Sequence, residues 1–180
     1  MTLQTADLLF IPNNHEALDE AIATSTGNYV HVAIVINAHQ IIDASPKHGV
    51  AIQQMHDFFA EIAVADIYRA NLTETQQSQV ISQAISYQNR PYNFSFYPND
   101  DSLYCSQLVQ LAFANVLTIP QQPMQFGDDQ QPISNYWLNY YQKLDVAVPL
   151  NQPGTNPHDL SKTPQLNYVG QLRYGDLLVD

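Results

Sequence analysis

The chain has 180 residues, 45% of them hydrophobic and 11% aromatic, enough to bury a sizeable core as one domain spanning residues 1–180. Only 13% are charged, and seventeen Asp plus Glu against six Lys plus Arg leave a net charge of −11. So few scattered cations argue against nucleic acid and against anionic lipid as partners, and no stretch approaches the roughly 20 apolar residues of a membrane span.

In chain order, Ala6 to Ile11 reads as a short strand ended by Pro12-Asn13-Asn14. His15 to Ala23 reads as a short helix, with Thr24 to Asn28 closing it as a loop. Tyr29 to Ile36 is a continuous apolar, β-branched run, the pattern of a central strand buried on both faces, interrupted only by His31. Asn37 to Gln40 reads as a turn with His39 near its tip, and Ile41-Ile42-Asp43-Ala44 as a second short run. The two runs are close enough to pair as an antiparallel hairpin, which brings Asp43 beside His31 on one sheet face.

Residues 49–53 read as an edge strand, 55–60 as a helical patch and 62–69 as a further strand. Thr73 and Gln76 have the spacing of a capping box, ahead of a helix whose apolar face is Val80, Ile81, Ala84, Ile85 and Tyr87. Arg90 to Asn93 ends that helix, and a polar and aromatic loop runs to Ser102. A third helix then opens at Cys105, with Leu108, Val109, Ala112, Phe113 and Val116 facing the core. Gln121 to Gln131 reads as a surface loop, Tyr136 to Tyr141 as a short aromatic helix, and Asn151 to Pro164 as an extended covering segment. Residues 168–172 and 177–179 read as terminal strands.

Cys105 is the only cysteine, so it makes no intramolecular disulfide and is either packing or chemistry. A buried cysteine is often no more than a small hydrophobe. A thiol in the first turn of a helix, however, feels the positive end of the helix dipole, which favours the nucleophilic thiolate. A carboxylate beside an imidazole fixes its tautomer and stabilises its cation. Cys105, His31 and Asp43 therefore offer a nucleophile, a base and an orienting group. The competing readings are a rim histidine at His31 and a turn residue at Asp43, ahead of Ser45-Pro46.

His39, His48 and His56 lie nine and eight residues apart, a spacing that fits no tight zinc motif, and neither metal nor cofactor is expected. His15 and His158 read as surface loop histidines. The Tyr136, Trp137, Tyr140 and Tyr141 cluster reads as packing, with a groove for an acyl chain or sugar as the alternative. Residues 1–10 contain no cation and no long apolar core, so no signal peptide is expected. The single thiol suits a reducing, cytoplasmic setting.

The order Asp7-Leu8-Leu9-Phe10, His31-Val32-Ala33-Ile34-Val35, Ile42-Asp43-Ala44, Tyr104-Cys105-Ser106-Gln107-Leu108-Val109 resembles the circularly permuted papain-like enzymes of the NlpC type, within them the YaeF/YiiX-like amidases. Ile67-Tyr68-Arg69-Ala70 is similar to the family's strand ending in arginine, and Pro153 to Leu160 to its late loop. The resemblance implies an α+β fold, an antiparallel sheet or partial barrel packed against helices that include the nucleophile helix. It implies Cys105 as nucleophile, His31 as general base, Asp43 as the polar third residue and Tyr92 as an oxyanion donor. The departures are Ala6 where the family often has Gly, and Gln107 where it often has Glu.

The function so implied is thiol-dependent acyl transfer from a small-molecule or peptide amide, the candidates being cell-wall peptides, N-acyl amino acids and lipid amides. A net charge of −11 favours neutral or cationic substrates by steering. The alternative is an idle binding protein on the same fold.

Overall fold

The apolar run at Tyr29–Asn37 forms β2, and its burial explains the whole sheet. Val32, Ala33, Ile34 and Val35 are all completely buried, so both faces of the strand must be covered. In the computed structural model, which describes residues 2–99, 101–173 and 175, β2 lies inside a six-stranded sheet. The other strands are β1 (Leu8–Pro12), β3 (Gln40–Ser45), β4 (Gly49–Gln54), β5 (Val64–Ala70) and β8 (Leu166–Arg173). Their order is β4-β3-β2-β1-β5-β8, and every neighbouring pair is antiparallel.

Each face of the sheet carries its own core. On one face Leu8, Phe10, Val32, Ile34 and Ile42 meet α3 (Glu74–Ser86) and α4 (Cys105–Phe113) through Val80, Ala84, Leu108, Val109 and Phe113. On the other, Leu9, Ile11, Ala33, Val35 and Ile41 meet Met55, Phe58 and Phe59 of α2 (Met55–Ala60). The α3 start is the expected capping box, formed in both directions between Thr73 and Gln76. A third cluster joins α1 (Ala17–Thr26) to α5 (Asn135–Leu144), with Ala21 against Phe126, Trp137 and Tyr141. No helix among the described residues is long and apolar enough to cross a membrane.

One clamp joins β1 to β5. The register Leu8 opposite Tyr68 brings Asp7 across from Arg69. Arg69 donates from Nε to Asp7 Oδ1 at 2.6 Å and from Nη2 to Oδ2 at 2.7 Å, while Asp7 is completely buried.

Several elements differ from the sequence reading. Helix α1 runs on through Thr24, Ser25 and Thr26 to a cap at Gly27, instead of closing at Ala23. Those polar residues hydrogen-bond within the fold: Thr26 Oγ1 to the Ile22 carbonyl at 2.9 Å, Ser25 Oγ to the Gly127 carbonyl at 2.8 Å. Helix α4 stops at Phe113, so Val116 packs from the turn beyond it. The 121–131 segment is not only loop: β6 (Gln122–Pro123) pairs with β7 (Pro153–Gly154), and Phe126 is buried. The late covering segment likewise contains β7 and the short α6 (Pro157–Leu160), capped by the Asn156 side chain. The strand expected at 177–179 lies outside the described residues.

Candidate active site

Tyr104 caps α4 in extended backbone geometry, so Cys105 is the first helical residue. Its backbone N–H therefore has no intrahelical acceptor and is free to point at an anion. The cysteine is 6% exposed and packs into the core of the sheet, yet it also borders a cleft. Packing and access to a ligand thus coexist at this residue.

The helix start is held from two sides. Leu103 donates its N–H to the Pro91 carbonyl at 3.0 Å, and its own carbonyl accepts from Asn93 N–H at 3.1 Å, which brings Tyr92 alongside. On the other side the Tyr104 hydroxyl accepts from Thr155 N–H at 3.3 Å, and Thr155 Oγ1 donates to Ser106 Oγ at 3.0 Å. A Cβ at Gly154 would stand 2.2 Å from Met124 Cε, the movable end of that side chain, and 3.0 Å from the Tyr104 hydroxyl.

The β2–β3 hairpin brings His31 and Asp43 together. The register Ile34 opposite Ile42 puts odd-numbered residues of both strands on one face. His31 Nε2 donates to Asp43 Oδ2 at 2.8 Å, with Asp43 only 2% exposed. Asp43 Oδ1 accepts from Gln53 Nε2 at 2.8 Å, so both carboxylate oxygens are engaged. His48 Nε2 stands 3.8 Å from Oδ1 as well. With Nε2 on the carboxylate, Nδ1 is the ring nitrogen left for the thiol. Burial pulls the His31 imidazolium down, but the charge of Cys105, the Asp43 hydrogen bond and a hydrogen bond to Cys105 outweigh it, and its pKa is pushed up to about 10.

Tyr92 lines the same cleft as Cys105. Burial first, then the charge of Cys105, holds its hydroxyl well above the ordinary tyrosine value, so it remains a proton donor. The cleft is small, about 70 Å³, and its walls include Ile22, Val30, Phe96, Met124, Phe126 and Trp137.

The structure thus puts His31 beside Asp43, and Cys105 and Tyr92 along one cleft; what links the two pairs is the influence of Cys105 on the His31 ring. It also adds a residue that was not singled out, Gln53, legible only from the pairing of β4 on β3, where it falls diagonal to Asp43 on the same face. On α1, burial raises the Asp19 carboxyl above the ordinary value, and the charge of His31 pulls it back.

The remaining histidines separate. His15 and His56 are exposed, at 81% and 69%. His158 is not the surface loop histidine expected: it lies on α6 with its ring under Gly27, where a Cβ would stand 2.2 Å from Cδ2. Its Nδ1, like Oε1 of Gln107, is buried without a partner among the described residues. Gln107 spends its amide nitrogen on the Asn99 carbonyl.

A family model described as permuted papain-like amidase enzyme, YaeF/YiiX, C92 family, matches residues 2–170. The chain is 25% identical over 178 residues to the uncharacterized protein YiiX of Escherichia coli strain K12, covering 93% of this chain and 86% of that protein. It is also similar to a crystal structure described as the metalloprotein yiiX from Escherichia coli O157:H7, with a TM-score of 0.82 and 22% identity over 96% of this chain and 99% of that one. At that identity the second likeness is one of fold.

Proposed function

The chain belongs to the permuted papain-like amidases of the YaeF/YiiX, C92 family, and from that premise we propose that it is a cysteine-dependent hydrolase cleaving amides with an apolar acyl group. The α+β architecture, an antiparallel sheet with α4 packed on it, is the permuted papain-like fold. The observation that carries the proposal is the 2.8 Å contact of His31 Nε2 with buried Asp43, on a ring whose pKa is raised by the neighbouring Cys105. The apolar cleft beside the thiol favours an acyl or lipid-like substrate over a cell-wall peptide.

The steps follow from these positions. The Cys105 thiolate attacks the amide carbonyl carbon, forming a C–S bond and an oxyanion. The Cys105 N–H and the Tyr92 hydroxyl stabilise that charge, each donor contributing about 3 kcal/mol. The His31 imidazolium gives its proton to the leaving nitrogen as the C–N bond breaks. Neutral His31 then takes a proton from water, which attacks the thioester, releasing the carboxylic acid and restoring the thiol. Asp43, fixed by Gln53, keeps His31 in the tautomer and orientation these transfers need.

Escherichia coli yiiX is described as a metalloprotein. Among the described residues of the present chain, no group of three His, Cys, Asp or Glu side chains is arranged to hold a metal ion. The residues present do not fit such a centre, and no step above runs through a metal.

The test is hydrolysis of an N-octanoyl anilide followed across pH. His31 is raised, so its cationic form is kept below its pKa and lost above it. Turnover is expected to hold through neutral pH and fall as pH rises through about 10. By the same sign, the contribution of His31 to stability is complete below the ordinary histidine value of about 6.5 and lost toward the higher one. A decline centred near the ordinary value, or release no faster than in buffer, overturns the reading.

A further inference from the structure

Polar residues border the cleft beside Cys105, among them Ser25, Thr26, Tyr104, Ser106, Thr155 and Asn156. Each already has a partner within the protein. Ser25 Oγ donates to the Gly127 carbonyl and accepts from Trp137 Nε1 at 3.0 Å. Thr26 Oγ1 donates to the Ile22 carbonyl. The Tyr104 hydroxyl accepts from Thr155 N–H, and the Thr155 and Ser106 hydroxyls bond each other. Asn156 Oδ1 accepts from Asp159 N–H, and its Nδ2 donates to Asp159 Oδ2, both at 2.8 Å. A guest there meets engaged polar groups and the side chains of Phe96, Phe126 and Trp137. Such a surface takes hydrocarbon in preference to a peptide or a sugar, whose own polar groups would lose water without replacement.

Size sets a second limit. A cavity of about 70 Å³ has room for roughly five water-sized groups. With the carbonyl carbon at the thiol, a straight acyl chain fills it with about five further carbons.

Met124 stands where that length is decided. Its N–H donates to the Gln152 carbonyl at 2.9 Å, and its carbonyl accepts from Asn151 N–H at 3.0 Å, so its backbone is pinned on both sides. Its half-buried side chain crosses from the end of β6 to Gly154 of β7, where a Cβ would stand 2.2 Å from Cε and 3.1 Å from Cγ. The Tyr104 hydroxyl lies 3.0 Å from the same point, so Met124 reaches back to the residue before Cys105. It lines the cleft and packs on the cluster that holds Phe126 and Trp137. An unbranched thioether on a fixed backbone is a wall that can be shortened without moving the ribbon that carries it.

We propose that Met124 is a specificity-determining residue that closes an acyl pocket, so that the preferred substrates are amides of straight-chain acids of about six carbons. This rests on the hydrolase reading and deepens it. An octanoyl amide then lies past the optimum but is still cleaved.

The single thiol allows a test that needs no turnover. Linear alkyl methanethiosulfonates, from methyl to decyl, transfer their thioalkyl group to the Cys105 thiolate: an S–S bond forms and methanesulfinate leaves. Rates are taken relative to glutathione with the same reagent, on wild type, Met124→Ala, Met124→Leu and Leu138→Ala. Leu138 is 47% exposed on α5. In wild type the relative rate is expected to rise about threefold per methylene to about pentyl, and to fall beyond it. Met124→Ala removes Cγ, Sδ and Cε and is expected to move the maximum about two to three carbons longer. Met124→Leu, of similar volume, and Leu138→Ala are expected to keep the wild-type maximum. A wild-type rate that climbs unbroken to decyl overturns the proposal. So does a Met124→Ala maximum at the wild-type length, or an equal move in Met124→Leu or Leu138→Ala. If the maximum moves as expected while N-hexanoyl and N-octanoyl anilides are not cleaved, the hydrolase reading fails and the alkyl pocket stands. If they are cleaved and the maximum does not move, the pocket reading fails alone.

Discussion

Replacing Cys105 by Ala, or His31 by Ala, is expected to lower amide turnover by roughly 10³-fold or more while the fold survives. The expectation comes from the division of labour at the site. Without Cys105 there is no atom to form the acyl intermediate. Without His31 nothing holds the cation beside the sulfur or protonates the leaving nitrogen. Because the two act as a unit, the double variant should be scarcely worse than either single one. The fold should persist because Cys105→Ala removes one small buried atom from a core otherwise built by Leu108, Val109 and Phe113, and because Gln53 still engages Asp43 when His31 is gone. Turnover, read beside thermal unfolding of each variant, separates loss of chemistry from loss of structure. Either variant retaining wild-type turnover would remove the proposed pair.

The second large effect is on stability. Arg69→Met should cost about 3–5 kcal/mol, the usual loss when one member of a buried ion pair is removed. Asp7 is completely buried, and Arg69 supplies two of its carboxylate's hydrogen bonds, leaving among the described residues the Gln4 N–H at 2.8 Å. The stranded carboxylate would sit between β1 and β5, the strands that join β8 to the rest of the sheet. For a chain of this length the unfolding midpoint should drop by about 10 °C. A drop of under about 2 °C would mean that the pair is dispensable.

Much of this site can be read in the sequence, for identifiable reasons. The Tyr29 to Ile36 run is legible as a central strand because burial on both faces leaves no polar alternation, which makes His31 conspicuous. The proximity of Asp43 follows from a short hairpin and the two-residue period of strands. The position of Cys105 follows from the start of an apolar helical face. What escapes is set by tertiary contact. Thr24 to Thr26 have the composition of a loop, yet α1 continues because Ser25 Oγ is occupied by the Gly127 carbonyl and Trp137 Nε1. Phe126 lies in a Gln- and Pro-rich stretch, and only the packing of α5 on α1 gives it a core to enter. His158 has the local context of a loop and is covered by Gly27, over a hundred residues away in the chain.

The most direct test of the account is the alkylation rate of Cys105 by iodoacetamide from about pH 4 to pH 10, in wild type and in His31→Ala. The chain has one cysteine, so the signal has a single source. The account predicts that near pH 6 the wild-type thiol reacts at least about tenfold faster than the variant, whose rate should rise only toward the free-cysteine range of about 8.5. Superimposable curves would contradict it, since His31 would then have no part in activating Cys105.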